Sequence, residues 1–223
     1  MRNLFLSICA PAIWAIVVIE IIIFILLFKK YKESNCKMVL CMALITLGLI
    51  IDAAVIALGV VLPTAILPAL SRVRFVAHGL LIPLLFAICG YALKAGDKLQ
   101  KVIWVLTILV SIAGVCEGFA TELVSAEIAG VTRMLSGPNT PAWASMITNV
   151  LSFGTVIPLI ICGIIAWAKQ KNPCLFFAGF FMFAFSALGP ATGNTDLLFF
   201  ISMIGEVLMV TFFYLFAKKF LKK

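Results

Sequence analysis

The sequence is poor in charge. Only 12% of its 223 residues are Asp, Glu, Lys or Arg, about half the ~25% usual for a soluble domain. That deficit excludes a chain built around one aqueous core. There is a single histidine, His78, which excludes a bis-histidine haem and a multi-histidine zinc site. The seven cysteines form no Cys-x-x-Cys pair and fall mostly in apolar runs, where they read as small apolar fillers. No P-loop, HExxH, G-x-S-x-G or TVGYG motif is present. No lysine lies inside an apolar run, which removes the anchor a retinal Schiff base needs. No metal or cofactor is implied.

What fills the chain is apolar sequence, 64% of the residues. Crossing a bilayer core takes about 20 mainly apolar residues. Seven segments are candidates, at Ala10–Phe28, Met38–Leu62, Phe75–Leu93, Val102–Ala120, Ala144–Ala168, Cys174–Leu188 and Leu197–Ala217. The sixth is the shortest, bounded by Asn172-Pro173 and Gly189-Pro190. The first follows Met1 and Arg2 as a signal peptide would. It is too long for one, and it ends in the basic stop Lys29-Lys30-Tyr31-Lys32. The expected fold class is all-α, a polytopic seven-helix membrane bundle forming a single transmembrane domain over residues 1–223. The expected location is a bacterial or archaeal cell membrane.

The formal charge of +8 reads as topology, not as affinity for nucleic acid, because no basic stripe is interleaved with aromatics. With the N-terminus outside, the inner segments hold Lys29, Lys30, Lys32 and Lys37, then Lys94, Lys98 and Lys101, then Lys169 and Lys171, and finally Lys218, Lys219, Lys222 and Lys223. The outer side holds Arg2, Arg72, Arg74 and Arg133. The positive-inside rule favours this orientation at every internal loop, and so a cytoplasmic C-terminus. Trp14 and Trp143 then fall at the outer interface. Trp104, Trp167, Tyr91 and Tyr214 fall at the inner one.

Four acids lie inside the apolar segments: Glu20, Asp52, Glu117 and Glu206. A charge at mid-bilayer costs roughly 2.5–3.5 kcal/mol on insertion scales, so such residues face the bundle interior or a water-filled cavity. Counted from the neighbouring lysines at about 1.5 Å per residue, Glu20 and Glu206 come near the middle. Asp52 and Glu117 come in the half away from the lysines, with His78 and Asn149 at similar depth. These six are the expected ligand- or ion-binding residues, with Arg72 and Arg74 at the rim as contacts for an anion or for lipid headgroups. With no interior lysine, the cavity is expected to be net negative and to suit a cation or a small amphiphilic solute. Protonated acids hydrogen-bonded between helices are the purely structural alternative.

Two helices share a pattern. Gly79-Leu-Leu-Ile-Pro83-Leu precedes Cys89-Gly90, and Gly154-Thr-Val-Ile-Pro158-Leu precedes Cys162-Gly163. Each follows a helix carrying one of the deep acids, Asp52 or Glu117. A parallel repeat of helical hairpins, as transporters use, would bring those two carboxyls to a common axis, close enough to share a proton. Pro83 and Pro158 predict kinks. Gly114 and Gly118 form a GxxxG beside Glu117. In the one long loop, 121–143, apolar Leu123, Ile128, Val131 and Leu135 predict a short interfacial helix ending near Gly137.

These features imply partners in the lipid bilayer and in a small molecule or ion. A small transporter or ligand-binding membrane protein fits them best. An intramembrane enzyme using buried carboxyls as acid and base on a lipid or isoprenoid is the alternative, with no catalytic residue assigned. A non-catalytic subunit of a larger complex is a third reading.

Overall fold

Apolar segments of this length satisfy their backbone polar groups internally, which makes them helices in lipid. In the computed structural model they are α1 (Arg2–Ser34), α2 (Lys37–Leu58), α3 (Leu67–Leu81), α4 (Leu84–Ala92), α5 (Asp97–Ala120), α6 (Ala142–Asn149), α7 (Val156–Gln170), α8 (Cys174–Ala191) and α9 (Thr195–Phe220). The described residues are 2–191, 193 and 195–222, with backbone only for 2–7, 189–190 and 195–199. The side chains of Arg2 and Pro190, and Met1 and Lys223, therefore lie outside the described residues.

The helices form a seven-pass bundle, because α3 with α4 and α6 with α7 each make one interrupted pass. Among the described residues, six spans are long and apolar enough to cross a membrane: Ile8–Ser34, Lys37–Leu58, Leu67–Ala92, Asp97–Ala120, Ala142–Gln170 and Phe200–Phe220. The seventh, α8, has 18 residues, about 27 Å of helix, close to the ~30 Å hydrocarbon core. The all-α bundle expectation holds, and the protein is a multi-pass membrane protein.

Both interruptions fall where the sequence places proline. Pro83 sits in the turn between α3 and α4, where the missing amide hydrogen breaks the helix. Pro158 lies in the first turn of α7, just after a π-helical turn over Val150–Gly154.

In lipid, helices gain little from burying apolar surface against each other, and close packing takes over. α3 and α5 cross at Gly79 and Gly114, so tightly that a Cβ on either would run into the other's backbone. Gly118 meets Val76 in the same way, and the GxxxG is thus part of a tight interface. One buried cluster joins Leu27, Met42, Leu85, Ile88, Phe213 and Phe216 towards the lysine-rich end. Another joins Ile13, Ala53, Ile56, Ala57, Val131 and Met203 at the opposite end. The outer faces of α1 and α5 stay apolar and uncovered, as at Ile25, Val102, Leu109 and Ile112.

The long loop corrects one expectation. It is not an interfacial helix but an antiparallel hairpin, β1 (Leu123–Ile128) and β2 (Val131–Ser136), with Leu123 opposite Ser136 and Ile128 opposite Val131. The two turn residues, Ala129 (φ 51) and Gly130 (φ 76), are both left-handed, which matches the twist of a two-residue hairpin. The hairpin is pushed into the end of the bundle. Val131 is fully buried, and the Thr132 carbonyl rests on Gly59, where any side chain would collide with it.

Candidate functional site: a charged cavity under the hairpin

Arg74 and His78 stand four residues apart on α3, hence on one face of the helix. That face looks towards Asp52 on α2 and Glu117 in the last turn of α5. Thr148 of α6, Ser152 of the π-helical turn and Arg133 of β2 complete the wall. Together they line a cavity of about 170 Å³. The Arg74 Nε donates to Asp52 Oδ1 at 3.1 Å, with both side chains largely buried. The guanidinium also lies 4.7 Å from the Phe75 ring centroid, a cation–π distance. Arg74 is only 6% exposed, and its Nη1 has no hydrogen-bond partner among the described residues. Leaving such a donor buried and unmet costs roughly 1–3 kcal/mol, more for a charged group.

Glu117 is 3% exposed. Its Oε1 accepts hydrogen bonds from Thr121 Oγ1 at 3.0 Å and Thr148 Oγ1 at 2.9 Å, which fix the carboxyl in the wall. Arg133 comes from the hairpin. Burial pulls its guanidinium down to about 10, Arg74 acts in the same direction, and Asp52 and Glu206 oppose them. It remains a cation at neutral pH.

A second cavity of about 260 Å³ adjoins the first and shares His78, Leu151 and Ser152 with it. Its lining is mostly apolar, with Leu49, Ile82, Leu85, Met182 and Met209, and it carries Glu206, Ser186 and Ser202 as polar groups. Phe153, also in this wall, is 42% exposed and meets Phe183 edge-on at 6.2 Å on the outer surface of the bundle. The π-helical turn thus gives Leu151, Ser152 and Phe153 in succession to these walls. Such turns are frequent at functional sites.

Of the residues expected to meet, Asp52, His78 and Glu117 share the first cavity, and Glu206 joins His78 in the second. Glu20 lines neither. It is fully buried, and both carboxyl oxygens lack a hydrogen-bond partner among the described residues. Asp52 and Glu206 lie within electrostatic reach of it. Asn149 is a correction. It is exposed and lines neither cavity, while Thr148, one residue and about 100° earlier on the helix, bonds Glu117. The rim expectation for the arginines is corrected as well. Arg72 Nη1 donates to the carbonyls of Gly118 (2.6 Å), Phe119 (3.1 Å) and Thr121 (2.7 Å), capping the orphan end of α5. Arg74 turns inward. Arg74 and Arg133 stand in the wall beside the two acids, so the cavity is of mixed charge, and Asp52 is ion-paired with Arg74.

No protein-family model matches the chain, and no curated protein matches it. The residues themselves define the chemistry. Arg133, Thr148 and Ser152 are the members that sequence reasoning passed over. The unusual presence of an arginine between apolar residues in the loop was the one signal for Arg133. Among the described residues, no group of three or more His, Cys, Asp or Glu is arranged to hold a metal. The first cavity offers two guanidiniums, two carboxyls and an imidazole at the junction with an apolar chamber. That set can hold a polar group of mixed charge beside an apolar one, and it can exchange protons through His78.

Proposed function

We propose that the protein binds and carries a small amphiphilic solute within the membrane, the polar part held by Asp52, Arg74, His78 and Glu117 and the apolar part by the second cavity. The observation that carries this reading is the adjacency itself. A charged cavity and a mostly apolar one share His78, Leu151 and Ser152, and together they reach the lower part of the ~300–1,000 Å³ range of small-molecule sites. The hairpin end faces outward in this reading, since the lysines gather at the other end. Residues 1–223 act as a single transmembrane domain, and the hairpin is the lid over the outer mouth. The interrupted passes α3–α4 and α6–α7 supply the hinges, because both breaks adjoin the cavities. A bacterial or archaeal cell membrane remains the proposed location.

The test is to purify the protein from its native membrane in mild detergent and identify co-purifying small molecules by mass spectrometry. The comparison is Ser152→Trp, which fills the wall between the cavities. An amphiphilic solute retained by the wild type, lost in the variant and exchanged across proteoliposomes supports the carrier. Identical small-molecule content in both proteins sinks it.

One observation favours a second reading, an intramembrane enzyme. His78 stands at the junction with Glu117 on one side and Glu206 on the other, where an imidazole can pass a proton to or from a bound amphiphile. Chemical alteration of the retained solute, lost in His78→Gln while binding persists, would distinguish it from the carrier.

A further inference from the structure

The first cavity holds two acids and two bases. Asp52 and Glu117 share its wall with Arg74 and Arg133, and Arg74 is ion-paired with Asp52. A ligand with net charge would leave one buried charge uncompensated, and that is the expensive arrangement. A ligand without charge would leave the Arg74 Nη1 donor unmet. This nitrogen belongs to a side chain 6% exposed and has no partner among the described residues, although the same guanidinium is anchored through Nε to Asp52. It is a pre-set donor for a carboxylate or similar anion, for which a guanidinium is the best-matched side chain. On another wall of the same cavity, Glu117 is held through one oxygen by two threonine hydroxyls. A fixed carboxyl of this kind suits an ammonium. Beyond His78, the chamber lined mostly by apolar side chains, Leu49, Ile82, Leu85, Met182 and Met209, with Glu206 also in its wall, suits an aliphatic or aromatic chain.

We infer that the paired cavities take a small amphiphilic zwitterion, with its anionic group on Arg74, its cationic group towards Glu117 and its apolar chain in the second chamber. An α-amino acid with a large apolar side chain has this pattern. The inference rests on the amphiphile reading above and narrows its ligand class.

The experiment is a ligand series on the purified, detergent-solubilised wild-type protein, read by isothermal titration calorimetry. The probes are L-phenylalanine and L-leucine as zwitterions, phenethylamine and isopentylamine as cations, and 3-phenylpropanoate and 4-methylpentanoate as anions. Each zwitterion is expected to bind at least tenfold tighter than its amine and its acid, with glycine much weaker because it leaves the apolar chamber empty. Equal or tighter binding of an amine or an acid overturns the zwitterion but leaves the amphiphile reading standing. Absence of binding by the whole series, from protein that does retain an amphiphile when purified, also overturns it without touching that reading. In Arg74→Gln the amine should gain on the amino acid by about tenfold, and in Glu117→Gln the acid should gain similarly. Unchanged ratios in both would refute the assigned contacts. Thr148→Val, which loosens Glu117 without deleting a charge, serves where those variants fail to fold, and it should weaken the amino acid more than the acid. An equal loss for both would count against the ammonium's placement.

Discussion

Replacing Asp52 by Asn tests the buried ion pair on which the charged cavity is built. Arg74 reaches Asp52 at 3.1 Å, and both side chains are mostly withdrawn from solvent. Deleting one partner of such a pair leaves the other charge buried and uncompensated, at a cost of about 3–5 kcal/mol. Arg74 already has one donor without a partner, so it has little left to fall back on beyond the face of Phe75, a contact of about 0.5–2 kcal/mol. The expected loss for Asp52→Asn is therefore about 3 kcal/mol. Denaturant unfolding in detergent micelles, followed by tryptophan fluorescence, measures it. Arg74→Gln should cost a similar amount, and the double variant Asp52→Asn/Arg74→Gln should cost distinctly less than the two single losses added. A coupling of at least about 1.5 kcal/mol is expected from that cycle. Additive losses, or a single variant within about 0.5 kcal/mol of the wild type, would refute the reasoning, because the pair would then be neither buried nor coupled.

Other consequences can be checked separately. Gly114→Ala should cost about 1–3 kcal/mol by forcing α3 away from α5, whereas Gly96→Ala, with nothing within 4 Å of the new methyl, should stay within about 0.5 kcal/mol; unfolding curves of the two decide it. Arg72→Gln removes a donor to three carbonyls at the end of α5 and should cost about 1.5–3 kcal/mol by the same assay. The free thiols of Cys89 on α4 and Cys162 on α7 are neighbours, so mild oxidation should yield a Cys89–Cys162 cross-linked peptide in mass spectra, absent in Cys89→Ser. In intact cells, a membrane-impermeant maleimide should label Ser125→Cys on the hairpin and spare Gly96→Cys at the lysine end; the reverse pattern would invert the proposed orientation.

The passes were legible as apolar runs with lysines near one end, α8 being the shortest, and Pro83 and Pro158 marked the two broken ones. That Asp52, His78 and Glu117 could meet was legible too, since rise per residue is fixed by helix geometry, and the three line one cavity. Direction around the helix was not. Asn149 and Thr148 differ by one residue and by about 100°, and only packing against Glu117 decides between them. Arg72 and Arg74 are two apart, so they point to different sides of α3, one to the end of α5 and one into the cavity. The hairpin was missed because Leu123, Ile128, Val131 and Leu135 suit a helical stripe, while the left-handed Ala129-Gly130 turn that makes strands of them carries only a weak glycine signal. Missing the hairpin meant missing Arg133, and with it the charge balance that turns an acidic cavity into a mixed one.

The most direct test of the account is an experimental density map of the protein extracted from its native membrane in mild detergent. Continuous non-protein density is predicted, with one end against Arg74 and Glu117 and the other running past His78 between Ile82 and Met209. Two cavities holding only water, or closed by their own side chains with Arg74 turned away from Asp52, would contradict it.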